Sequence, residues 1–169
     1  MGTQVIDFNN VESVIFNGKE VDTLMLNNTE VWSGFKKLGQ LIDRSIESVT
    51  AEDLEGVTSI GGYAFYHCSL LNSVELPNSI TTIGNRAFEG CTQLTEITIP
   101  SGVTEIDEFA FYSGLRRLKM LPTTPPKLGY SFPFGASTGN MVIEVPANSL
   151  SAYQSATNWS TYADHMVGV

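Results

Sequence analysis

Positive charge is scarce in this chain. Only nine of its 169 residues are Lys or Arg against eighteen Asp and Glu, for a formal net charge of −9. Binding a phosphate backbone needs clustered cations that displace counterions, and the densest groups are the pairs Lys36-Lys37 and Arg116-Arg117. Nucleic acid is therefore not an expected partner. Long apolar runs are missing too, since none approaches the ~20 residues that cross a bilayer as a helix. No membrane insertion is expected. Met1 to Asn10 has neither a basic n-region nor an apolar h-region, so the chain as it stands is not expected to use the Sec route. Ile6 occupies the position where a myristoylation signal needs Ser or Thr.

Cysteine and histidine are equally sparse, with two of each. Cys68 and Cys91 are 23 residues apart. They read either as two buried thiols in one column or as a disulfide, which a strand spacing of about 4.8 Å does not exclude. Two cysteines without matching histidines do not make a structural zinc site. His67 and His165 have no nucleophile set beside them, and no phosphate loop, dinucleotide fingerprint or zinc-protease helix is present. The chain is expected to be non-enzymatic and to need no cofactor. Glu75, Glu96, Glu105, Asp107 and Glu108 read as a solvated acidic face in preference to a calcium cage, and no metal site is assigned.

What the chain does have is a repeat. Val57-Thr-Ser-Ile60 to Pro77, Ile80-Thr-Thr-Ile83 to Pro100, and Val103-Thr-Glu-Ile106 onward share a 23-residue period that also relates Ala64, Ala87 and Ala110, and Phe65, Phe88 and Phe111. A period of roughly 20 to 50 residues signals stacked units that share one elongated core. The Val/Ile-Thr-x-Ile element reads as a short strand. Gly61-Gly62 or Gly84-Asn85 then turns the chain, and Ala-Phe-x-x-Cys reads as a tight helical turn that drops Phe inward. Leu-x-x-Val/Ile-x-Leu/Ile-Pro reads as a second strand ended by proline, with Leu94, Ile97 and Ile99 facing in and Thr95, Glu96 and Thr98 facing out.

The flanks differ from the repeat. Glu12 to Phe16, Glu20 to Leu26 and Glu30 to Trp32, joined by Asn17-Gly18 and Asn27-Asn28, read as a three-stranded antiparallel meander. Ser45 to Gly56 reads as an incomplete first rung, with Thr50 capping a turn that contains Asp53. The third repeat is degenerate, and Thr123 to Gly129 is proline-rich enough to predict no regular structure. Met141 to Val145 reads as a last strand. A helix from Leu150 to about Thr157, capped by Asn148 or Ser149, follows, and Trp159, Tyr162 and Met166 cover the core. The fold class is thus a β-rich α/β repeat. It comprises a short solenoid of three 23-residue repeats with end caps over 57–169, a linker and cap over 35–56, and a small antiparallel β-meander over 1–34.

The phrase Ile-Gly-x-x-Ala-Phe-x-x-Cys-x-x-Leu-x-x-Ile-x-Ile-Pro, with the closing segment Val145 to Asp164, resembles the BspA-like leucine-rich repeat of bacterial surface proteins, some protists and phages. The resemblance covers Leu41 to Val169 and implies adhesion or structure rather than catalysis. Val14 to Val21 with Leu24 to Trp32 resembles β-modules of phage tail and virion proteins. Together these imply a phage virion protein, in a tail fibre, baseplate or capsid decoration, that displays the repeats for host-surface or subunit binding. A bacterial cell-surface adhesin is the alternative, and location follows suit: virion, or cell surface. The expected partners are other virion proteins or further copies of the chain, with a host-surface glycan or protein as target. Phe16, Leu24, Leu26, Val31 and Trp32 are the candidate attachment residues. Tyr63, Tyr66, Phe109 and Tyr112 around the Ala-Phe turn, and Tyr130, Phe132 and Phe134 in the proline-rich loop, are the candidate binding surface.

Overall fold

A computed structural model describes residues 44–130, 133–134 and 141–169, together with the backbone pairing of 14–16 and 19–21. The expected Asn17-Gly18 hairpin corresponds to β1 (Val14–Phe16) and β2 (Lys19–Val21), which pair antiparallel with Val14 opposite Val21. The remainder of the meander lies outside the described residues.

Every other described ladder is parallel, which sets the repeat region apart from the antiparallel β1–β2 pair. The Val/Ile-Thr-x-Ile segments form β4 (Ser59–Ile60), β6 (Thr82–Ile83) and β8 (Glu105–Ile106), and the proline-led β10 (Lys127–Leu128) continues their sheet, the four hydrogen-bonded in that order. A second sheet joins β7 (Glu96–Ile99), β9 (Arg117–Met120), β11 (Val142–Val145) and β12 (Met166–Gly168), again in order. The short strands β3 (Ser48–Val49) and β5 (Ser73–Val74) pair before them. Register sets matching residues directly against one another, so Ile60, Ile83, Ile106 and Leu128 form one buried column and Ile97, Leu118, Ile143 and Met166 another. Alternation along β7 and β9 is strict, exposed then buried, as period-2 side chains on a one-sided sheet require. Threonines reinforce the stacking: Thr81 Oγ1 donates to Thr58 O at 3.0 Å and Thr104 Oγ1 to Thr81 O at 3.2 Å.

Within the core the phenylalanines stack. Ring centroids are 5.1 Å apart for Phe65 and Phe88, 5.2 Å for Phe88 and Phe111, and 6.1 Å for Phe111 and Phe134, with interplanar angles of 15° or less. Phe134 lies 23 residues after Phe111 and is only 3% exposed. It is therefore a fourth member of the core column and not the contact residue that its proline-rich surroundings suggested. That stretch also holds more structure than expected. Pro125 and Pro126 sit just ahead of β10, so the ladder draws its donors from Lys127 N–H to Thr104 O at 2.8 Å and Gly129 N–H to Ile106 O at 2.9 Å.

At the first rung Thr50 and Asp53 bond reciprocally, Thr50 N–H to Asp53 Oδ2 at 2.8 Å and Asp53 N–H to Thr50 Oγ1 at 3.3 Å, the pattern that satisfies orphan donors at a turn start. At the other end a 3-10 turn over Ala147–Ser149 leads into α1 (Leu150–Ser155). The helix stops two residues short of the expected Thr157, because Ala156 is extended, and Ser149 makes no side-chain cap bond. Tyr153 OH donates to Pro122 O at 2.8 Å and Trp159 Nε1 to Pro126 O at 2.7 Å, so the two largest buried rings of the cap bring their own polar partners. Trp159, Tyr162 and Met166 are buried as expected, and Met166 also opens the parallel strand β12, which the sequence did not announce. The result is a repeat protein rich in strands with few helices.

Candidate binding face

Each rung turns at left-handed backbone. Tyr63, Arg86 and Phe109 occupy one slot on successive rungs with φ of 64°, 57° and 54°. This conformation costs a residue with a Cβ roughly 1–2 kcal/mol, whereas Gly adopts it freely. Four residues on, His67 has φ 59° and Gly90 has φ 78°. The expected tight helical turn is present as successive tight turns, Ala64 N–H to Gly61 O at 3.3 Å, Tyr66 N–H to Tyr63 O at 3.1 Å and Cys68 N–H to Phe65 O at 3.1 Å, which the left-handed residues keep from joining into a regular helix. Alternate N–H groups point along the stack instead: Tyr63 to Asn85 O at 2.9 Å, Phe65 to Ala87 O at 2.7 Å and His67 to Glu89 O at 2.7 Å. The next rung repeats this with Arg86 to Glu108 O at 3.0 Å, Phe88 to Ala110 O at 2.7 Å and Gly90 to Tyr112 O at 3.0 Å. These bonds hold two rows of side chains in register, Tyr63–Arg86–Phe109 and Tyr66–Glu89–Tyr112.

The rows form one group. Tyr63 and Tyr66 meet edge to face at 5.4 Å and 66°, and two rungs away Phe109 and Tyr112 meet at 6.0 Å and the same angle. Between the pairs Arg86 Nη1 donates to Glu89 Oε2, and the guanidinium carbon lies 4.5 Å from the centroid of Phe109, within cation–π range. The Glu89 hydrogen bond raises the Arg86 pKa further above its already high ordinary value, with desolvation opposing and Tyr63 and Tyr66 adding to the rise. Tyr112 is 43% exposed; the other five are half-buried. The His67 ring sits edge-on to Tyr66 at 4.3 Å.

Four of the seven expected surface residues are thus brought together. Tyr130, 84% exposed, makes no ring contact with them among the described residues. Phe132 lies outside those residues, and Phe134 belongs to the core. Of the attachment set, Phe16 is on β1, while Leu24, Leu26, Val31 and Trp32 lie outside the described residues. Arg86 and Glu89 were missed by a search for aromatics. The repeat held the signal, because they fall 23 residues after Tyr63 and Tyr66.

The remaining reactive groups are occupied. Cys68 and Cys91 are fully buried and not linked by a disulfide. Cys91 Sγ donates to Phe65 O at 3.0 Å, and burial pushes its thiol far above the ordinary range. Such a thiol stays protonated at neutral pH and is no nucleophile. Among the described residues no three His, Cys, Asp or Glu side chains are grouped to hold a metal; Glu105 accepts instead from Lys127 Nζ at 2.6 Å.

The stacked geometry has a counterpart among known families. A model of the BspA type leucine rich repeat region, in six copies, matches residues 42–132. The chain belongs to this family. The match spans more than half of the 169 residues, and it takes in the whole Tyr63–Tyr112 face of this BspA-type chain. No curated protein matches the chain.

Proposed function

We propose that this BspA-type chain is a non-enzymatic recognition protein that presents a short solenoid, residues 57–169, at a biological surface. Residues 1–34 serve as attachment module and residues 35–56 as lead-in and first cap. The observation that carries this reading is the two-row face: six side chains held in register by main-chain hydrogen bonds, three of them at left-handed backbone. Aromatic residues and Arg are enriched in recognition surfaces, and pre-set side chains lose less entropy on binding. Family membership supports adhesion at a bacterial cell surface as the setting.

The resemblance of Val14 to Val21 with Leu24 to Trp32 to virion β-modules is the support for a second setting, a phage particle, in which the module binds other virion proteins or further copies of itself. Several copies on one particle raise avidity without strong single contacts. Fractionation separates the settings: co-sedimentation with purified particles supports the virion, and recovery only in cell envelopes supports the adhesin. Deleting residues 1–34 removes incorporation into either structure and leaves the repeat region folded. A truncated chain that still incorporates contradicts the assigned division of labour.

A further inference from the structure

We infer that the two-row face is a binding site for a neutral, extended carbohydrate chain, an inference that rests on the surface-recognition reading above and names its ligand. The aromatic pairs Tyr63/Tyr66 and Phe109/Tyr112 stand two rungs apart, about 9.6 Å at a parallel-strand spacing of about 4.8 Å. That is close to the advance of two sugar units along an extended chain. Pyranose rings present C–H faces that stack on aromatic rings, and their hydroxyls need donors and acceptors between the stacking points.

The middle rung supplies both. Arg86 uses Nη1 on Glu89 Oε2, and the rest of its five-donor fork has no hydrogen-bond partner among the described residues. Glu89 Oε1 and the hydroxyls of Tyr63, Tyr66 and Tyr112 likewise have none there. An apolar protein hot spot would leave such groups unpaired at a cost, whereas vicinal hydroxyls satisfy them. The ion pair makes the face locally neutral, and a chain with net charge −9 repels polyanions. The left-handed slot points the same way. Gly or Asn would relieve the backbone there, yet the three rungs keep Tyr, Arg and Phe.

The test titrates the full chain with cellohexaose and chitohexaose as neutral linear probes and a heparin hexasaccharide as the polyanion, by calorimetry and by chemical-shift mapping. The expected result is weak binding of a neutral hexasaccharide centred on Tyr63 to Tyr112 and none of heparin. Tyr63→Asn and Phe109→Asn, which suit left-handed backbone, keep the thermal midpoint yet weaken binding about tenfold, the equivalent of one lost stacking contact. Arg86→Lys, keeping charge but not the fork, weakens it comparably, and Tyr130→Ala leaves it unchanged. Absence of binding by both neutral probes, binding of heparin at this face, or binding that survives Tyr63→Asn overturns the inference. Host-cell binding lost in Tyr63→Asn while neither neutral probe binds overturns the carbohydrate assignment and leaves surface recognition standing.

Discussion

Close approach of neighbouring rungs is decided at single glycines. A Cβ built on Gly84 lies 2.6 Å from Gly62 N and 2.9 Å from the Gly61 carbonyl carbon, and those are backbone atoms of the preceding rung that cannot swing aside. Gly84→Ala is expected to cost about 1–3 kcal/mol, the range for overpacking, read by urea unfolding. Gly90 is constrained differently. Its φ of 78° penalises any Cβ by roughly 1–2 kcal/mol, but the nearest atom is Nδ1 of the exposed His67 ring at 2.7 Å, which can rotate away. Gly90→Asn should therefore recover most of the loss seen in Gly90→Ala, while Gly84→Asn should be no better than Gly84→Ala. Equal behaviour at both sites would contradict this distinction.

At the scale of elements, the phenylalanine column and the C-terminal cap form one packed unit. Phe134 stacks on Phe111 and meets Trp159 at 5.7 Å and Tyr162 at 5.2 Å. Phe134→Ala is expected to cost about 3–5 kcal/mol, and Tyr130→Ala no more than about 0.5 kcal/mol, both from denaturant midpoints. A small effect at Phe134 would return that residue to the surface. Trp159→Phe keeps one aromatic ring but removes the indole N–H and leaves the buried Pro126 carbonyl without its donor, an expected loss of at least about 1–3 kcal/mol. The strands of the repeats were legible because Ile97, Leu118 and Ile143 sit in alternating patterns that only a one-sided strand explains. The fourth Phe was equally legible by counting. Proline density hid it, since prolines flanking a two-residue strand leave its ladder intact.

Across the whole molecule, buried acidic protons tie stability to alkaline pH. Burial raises the pKa of Cys91, Tyr153 and Tyr162. The unfolded chain gives up these protons near about 8.5 for thiol and about 10 for phenol, while the folded chain keeps them. Above those values the unfolded state binds fewer protons, so stability falls with rising pH by up to about 1.4 kcal/mol per unit for each group. The thermal midpoint is expected to hold from about pH 7 to 8 and to drop between about pH 9 and 11. A midpoint constant to pH 11 would show that these groups are not shielded. Thiol reagents should accordingly label Cys68 and Cys91 only at the rate of unfolding.

By itself the sequence determined the period, the two strands of each regular repeat, the inward face of Leu94, Ile97 and Ile99, and the family, because each depends on residues close along the chain and is written several times over. Only the tertiary structure decided that Tyr130 is exposed, that the proline-rich stretch contributes a strand, that Met166–Gly168 adds another, and that Arg86 and Glu89 join four aromatics in one face. Those outcomes depend on hydrogen bonds between residues a full rung apart, which bring distant side chains together whatever their local surroundings suggest.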